Sequence, residues 1–106
     1  MSAFGDDARD ARGRAASEAA LEARVRSRRN LMIGEWAAGL MGLDDVHAYA
    51  RAVARSEAET PPDEDIVRKV SRDLADSGLA APAAEVRNKM EDFLALARAQ
   101  MAGGKG

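Results

Sequence analysis

Few residues of this chain are suited to chemistry, and their spacing argues against a reaction centre. His47, the only histidine, lies beside Asp44 and Asp45 near the start of a helical segment. A general base or metal ligand needs positioned partners that this spacing does not supply, so His47 reads as a surface residue. Asp63, Glu64 and Asp65, with Glu57 and Glu59 nearby, lack the spaced ligands and fixed glycine of a calcium loop. They suit the first turn of a helix, where carboxylates face the positive end of its dipole. Gly103-Gly104-Lys105-Gly106 has the glycines and lysine of a phosphate loop, but no strand precedes it, no Ser or Thr follows the lysine and no helix comes after. Ser17, Ser27, Ser56, Ser71 and Ser77 fall at helical or helix-end positions without a histidine in register, and there is no cysteine to act as nucleophile, disulfide partner or thiolate ligand. The chain therefore reads as a non-enzyme, with no catalytic residue, no metal and no cofactor.

Arg24, Arg26, Arg28 and Arg29 form the one local cluster that could grip phosphates or a partner's carboxylates. Arg29 lies near the apolar sector of its helix, where its stem can cover core atoms while the guanidinium reaches a carboxylate. No aromatic residue interleaves with the cluster. The first thirty residues hold seven arginines against five acids, and the remainder nine basic residues against thirteen acids. A basic arm on an acidic body is an incomplete footprint for nucleic acid, which is not an expected partner.

The elements that position these residues are helices. Residues 1 to about 15 are rich in Gly, Ala, Asp and Arg with Phe4 the only bulky apolar group, too little to offset the entropy of ordering, so a disordered or nascently helical arm is expected. Helix is predicted from about 16 to 41. Leu21, Val25, Met32, Trp36 and Leu43 share a narrow sector flanked by Ile33 and Leu40, and Gly42 with Leu43 provides a left-handed stop. Asp44 is placed to cap a second helix reaching about Glu57, with Val46, Ala50 and Val53 inward and Tyr49 at the edge. Thr60-Pro61-Pro62 breaks the chain. A third helix opens with Asp63 to Asp65, turns Ile66, Val67, Val70 and Leu74 inward and stops at Gly78. Pro82 opens a fourth, with the stripe Val86, Met90, Phe93, Leu94, Ala97 and Met101 ending before Gly103-Gly104. Four amphipathic helices with short links and no strand pattern predict an all-α, four-helix bundle-like domain over residues 16–102, with a long first helix, a flexible arm over 1–15 and a flexible tail over 103–106.

At 106 residues the chain is one domain, able to remove roughly two-thirds of its unfolded surface from water. The apolar run Leu31 to Leu43 contains Glu35 and is too short to span a bilayer, which needs about 20 residues, so it reads as a core helix without direct membrane insertion. The N-terminus lacks the apolar core of a secretory signal, and the absence of cysteine fits a reducing compartment, so a cytoplasmic address is expected.

Four segments carry a family resemblance. Arg28-Arg29-Asn30 leads through Gly34, Trp36, Ala37 and Ala38 to Gly42-Leu43; then come Ala48-Tyr49-Ala50, Asp63-Glu64-Asp65 with Arg68-Lys69, and Val86-Arg87 with Met90 and Leu94. In this order, from about Leu21 to Met101, they resemble the zeta-subunit family of alphaproteobacterial ATPase inhibitors. That resemblance implies a regulatory inhibitor that blocks ATP hydrolysis by inserting its N-terminal arm at a catalytic interface between the alpha, beta and gamma subunits of F-type ATP synthase. It also implies a location peripheral to the inner membrane through that enzyme. The partner-binding residues would be Phe4, Asp6, Arg9, Arg14 and Glu18 on the arm, with Arg24, Arg28 and Arg29 behind them. The arm departs from the family pattern, which has bulky, often aromatic groups where this chain has Ala11, Ala15 and Ala23, and no glycine at Gly13. Weakened inhibition is the expected consequence. The alternative is a non-enzymatic helical module with a degenerate arm, binding another protein or, weakly, a nucleotide through the Arg24 to Arg29 face.

Overall fold

The computed structural model describes residues 3–56, 62–80 and 83–102, with side chains from Arg12 onward except that of Pro62. The described residues form four helices and no strand: α1 (Ala3–Met41), α2 (Val46–Arg55), α3 (Pro62–Asp76) and α4 (Ala83–Ala102). This is the expected all-α architecture. The boundaries differ at two places. α1 begins at Ala3 instead of near residue 16, because the Ala and Arg residues of that stretch favour helix and outweigh Gly5, Gly13 and the three Asp. Its 39 residues correspond to a rod of about 58 Å, nearly the full 66 Å length of the molecule. Side chains from Arg12 to Ala20 are all exposed, so packing does not hold this part of the helix.

Gly42 (φ 69°) and Gly78 (φ 83°) end α1 and α3 in the same way. In each case the glycine N–H donates three residues back and the following leucine N–H five back: Gly42 to Gly39 and Leu43 to Ala38, Gly78 to Ala75 and Leu79 to Leu74. This left-handed stop uses the lost carbonyls of the last turn and tolerates only a residue free to adopt positive φ. The second difference follows from the first stop. Asp45, not Asp44, caps α2, its Oδ1 accepting from the Ala48 N–H at 2.9 Å. α2 ends at Arg55, ahead of the expected Glu57, because the Ser56 hydroxyl and N–H both turn back to the Val53 carbonyl. Glu57 to Pro61, Pro82 and the tail 103–106 lie outside the described residues.

The main core joins all four helices through Ile33, Ala37, Val53, Ile66, Val67, Val70, Leu74, Val86 and Met90. α4 runs antiparallel along α1, with Lys89 over the Trp36 ring and Arg98 bonded to Glu22, and a second cluster of Val25, Met32 and Ala97 with Phe93, Leu94 and Met101 fills that seam. α2 lies close against α1. A Cβ on Gly34 would stand 2.6 Å from the Ala50 Cα, so only glycine permits this approach.

The α3 and α4 stripes are as expected, but the α1 sector is not centred where its largest residues suggested. Trp36 is half-buried at the edge of the main core, and Leu21, Leu40 and Leu43 are 36, 50 and 39% exposed. The contact face is built from Ile33, Gly34, Ala37 and Ala38, because small residues bring helix axes together and leave the bulky ones on the shoulders.

Candidate functional site: the projecting half of α1 and its base

α4 ends at Ala102, alongside α1 near Glu22, so α1 continues beyond the bundle for its first five turns or so. The sequence-predicted site residues fall into three groups along this rod. Phe4, Asp6 and Arg9 lie on its outer part, where helix backbone is described and side chains are not. Arg14 and Glu18 follow on the same projecting helix with exposed side chains. Arg24 and Arg28 stand at the base. Arg24 is exposed, whereas Arg28 is half-buried and its Nε donates to Gln100 Oε1 at 3.2 Å. Together with the Arg98–Glu22 ion pair at 2.8 Å, this fastens the end of α4 to α1 where the projection begins.

Arg29 belongs to the interior. It is 2% exposed, its Nε donates to Asn30 Oδ1 at 2.8 Å and an Nη donates to Asp63 Oδ1 at 2.8 Å. The guanidinium is thus matched by a carboxylate on the first turn of α3 and by the fully buried Asn30, which meets the hydrogen-bonding requirement of a buried charge. The structural use expected for Arg29 is observed, and this residue is not presented to a partner. Asp63 lies in the first turn of α3 as expected; its partner could not be read from sequence, because the two residues lie on different helices.

Two further polar links around the bundle have the same tertiary origin. Arg87 grips Glu64 with two donors, at 2.9 and 3.4 Å, joining α4 to α3. The hydrogen bond and charge of Arg87 hold the Glu64 carboxyl below its ordinary pKa. The Tyr49 hydroxyl donates to Asp73 Oδ2 at 2.7 Å, and Lys69 reaches the same carboxylate at 3.1 Å while lying over the Tyr49 ring, so α2 is tied to α3. Burial and the Asp73 carboxylate push the Tyr49 phenol well above its ordinary range. These links position the helices of the bundle.

His47 is exposed, with Nδ1 3.8 Å from Glu35 Oε2. Among the described residues no group of three or more His, Cys, Asp or Glu is placed to hold a metal ion, and no helix is long and apolar enough to cross a membrane. A cavity of about 180 Å³ opens between α3 and α4 over Val67, Met90 and Leu94, with Arg29, Glu64, Arg87 and Glu91 at its wall; Arg29 is joined to Asp63 and Arg87 to Glu64.

The arrangement is a bundle packed on an apolar core, from which the polar N-terminal half of α1 extends. No curated protein and no solved structure matches the chain. A family model does, over residues 1–100: ATPase inhibitor subunit zeta. The match takes in the projecting helix as well as the bundle, and the chain belongs to the ATPase inhibitor subunit zeta family.

Proposed function

We propose that this protein inhibits ATP hydrolysis by F-type ATP synthase, with the projecting half of α1 as the inhibitory element and the bundle as its anchor. The observation that carries this reading is the solvent-surrounded helix from Arg12 to Ala20, attached to a packed domain in a chain that belongs to an inhibitor family. A charged helix without tertiary contacts gains order by entering a groove, and a wedge between the alpha, beta and gamma subunits stops rotation without any chemistry by the inhibitor. Phe4, Asp6, Arg9, Arg14 and Glu18 would meet the synthase, and the base at Arg24 and Arg28 would adjoin the entrance. The arm over residues 1–15 is the mobile part in this reading.

Ala11, Ala15 and Ala23 bring little apolar area to such an interface. Each missing large side chain removes roughly 1.5 kcal/mol of burial, and Gly13 costs the bound helix about 1 kcal/mol relative to alanine. Inhibition is therefore expected to be weaker than a fully apolar wedge would give. The test is ATP hydrolysis by the cognate synthase with added protein. Deleting residues 1–15 should abolish inhibition, and placing aromatic side chains at Ala11 and Ala15 with Gly13→Ala should strengthen it. Hydrolysis indifferent to both changes, with the bundle still folded, would refute the wedge.

A further inference from the structure

α1 carries a glycine that neither the fold nor the arm explains. Gly34 is required by the close approach of Ala50, and Gly42 by its positive φ. Gly39 has neither reason. It is exposed in the last turns of α1, and a Cβ there would meet nothing within 4 Å. Beside it are Leu40, half exposed, and Leu43, which closes the helix stop and still leaves 39% of its surface in solvent. Leu40 and Leu43 follow Trp36 at helical spacing, so an apolar strip runs from the edge of the core out to the end of the bundle.

The charges around this strip are mostly acidic, with Lys89 over the Trp36 ring and His47 facing Glu35 as the basic groups beside it. Asp44 and Asp45 are exposed immediately after Leu43, Glu35 lies a turn before Gly39, and Glu85 occupies the first turn of α4. A glycine beside two exposed leucines allows a second helix to bring its backbone close, and an acidic rim favours a helix whose apolar face is bordered by lysine or arginine.

We propose that Gly39, Leu40 and Leu43 form a docking surface for a basic amphipathic helix of a partner protein. This surface lies about 30 Å along α1 from the start of the projecting segment, so it is separate from the arm and does not depend on the arm's activity.

The full chain, labelled with ¹⁵N, is titrated with a helical peptide of about 18 residues made of leucine and lysine at amphipathic spacing, and with a matched leucine and glutamate peptide. The lysine peptide should shift the amides of Gly39, Leu40, Leu43 and Asp44, and the glutamate peptide should leave them unmoved. Leu40→Ser should weaken binding by about tenfold, as expected for one leucine removed from a buried contact. Gly39→Ala is the sharper variant. It fills open space on a helix, so it should raise the melting temperature while lowering peptide affinity. Shifts spread over other acidic surfaces and insensitive to Leu40→Ser, or equal affinity of the Gly39→Ala chain, would overturn the proposal. Leu40-dependent self-association without peptide would also overturn it, by making a second copy the occupant.

Discussion

The two halves of α1 share one continuous helix, and both are rich in arginine, yet only the half from about Leu21 onward is packed. Val25, Met32, Ile33, Ala37 and Ala38 recur at helical spacing and are buried, while every side chain from Arg12 to Ala20 is in solvent. Helix propensity is nearly the same along the rod, so propensity does not decide which half belongs to the domain. An apolar stripe does, because tertiary burial supplies most of the stability of a helix in water. The charges repeat the contrast. Glu22, Arg28 and Arg29 of the inner half are engaged with α4 or α3, whereas Arg12, Arg14 and Glu18 make no ion pair among the described residues.

One substitution made in each half breaks this comparison most strongly. Gly34→Ala forces a methyl to within 2.6 Å of the Ala50 backbone, which must move, and we expect a loss of about 3 kcal/mol in denaturant unfolding. Gly13→Ala meets no atom within 4 Å. It should raise helicity by circular dichroism and leave the unfolding midpoint of the bundle in place. A shared midpoint change would mean that the two halves unfold as one unit.

A second comparison sets Arg29 against its partner. Arg29→Ala removes a buried guanidinium and leaves the buried Asn30 amide without it, and should cost about 3 kcal/mol. Asp63→Asn keeps an acceptor at the same site, and the Asp63 side chain is 58% exposed, so a cost of about 1 kcal/mol is expected from thermal or urea unfolding. Equal losses would show that the ion pair acts as one closed unit, with solvent contributing nothing on the Asp63 side.

How much of this was legible in the sequence depends on the range over which each feature is decided. The stop at Gly42-Leu43, the inward stripe Ile66, Val67, Val70 and Leu74, and the α4 stripe are local patterns, and each is found as read. Arg29 was legible as an arginine on an apolar sector, its stem among core atoms. The half-burial of Trp36 and the exposure of Leu40 were not legible, because side-chain size indicates hydrophobicity but not which face approaches most closely. Gly34 was the available signal: a glycine inside an apolar helix marks close approach of another backbone. The links Arg29–Asp63, Arg87–Glu64 and Tyr49–Asp73 join different helices and follow only from their packing. For the candidate site, composition marks out residues 1 to about 15 as apart from the core, while the residues proposed to meet a partner there come from the family resemblance.

The smallest expected effect concerns the surface link between α3 and α4, the kind of pairing that Arg12, Arg14 and Glu18 do not make among the described residues. Arg87 holds the Glu64 carboxyl below its ordinary pKa of 4.5, first by hydrogen bonding and then by charge. A carboxylate with a depressed folded pKa adds stability that is complete above its unfolded pKa and is lost as pH falls through the folded one. The Glu64 contribution should therefore be full at neutral pH and disappear on acidification below about pH 4.5. Because the pair is solvent-exposed and screened by salt, the direct observable is the titration of Glu64 itself. In carboxyl ¹³C NMR, Arg87→Ala should bring the Glu64 midpoint back up towards its ordinary value, and high salt should do part of the same. A Glu64 midpoint unmoved by Arg87→Ala would mean that the α3–α4 link is not formed in solution, and would place this seam closer in character to the exposed stretch over residues 12–20 than to the core it borders.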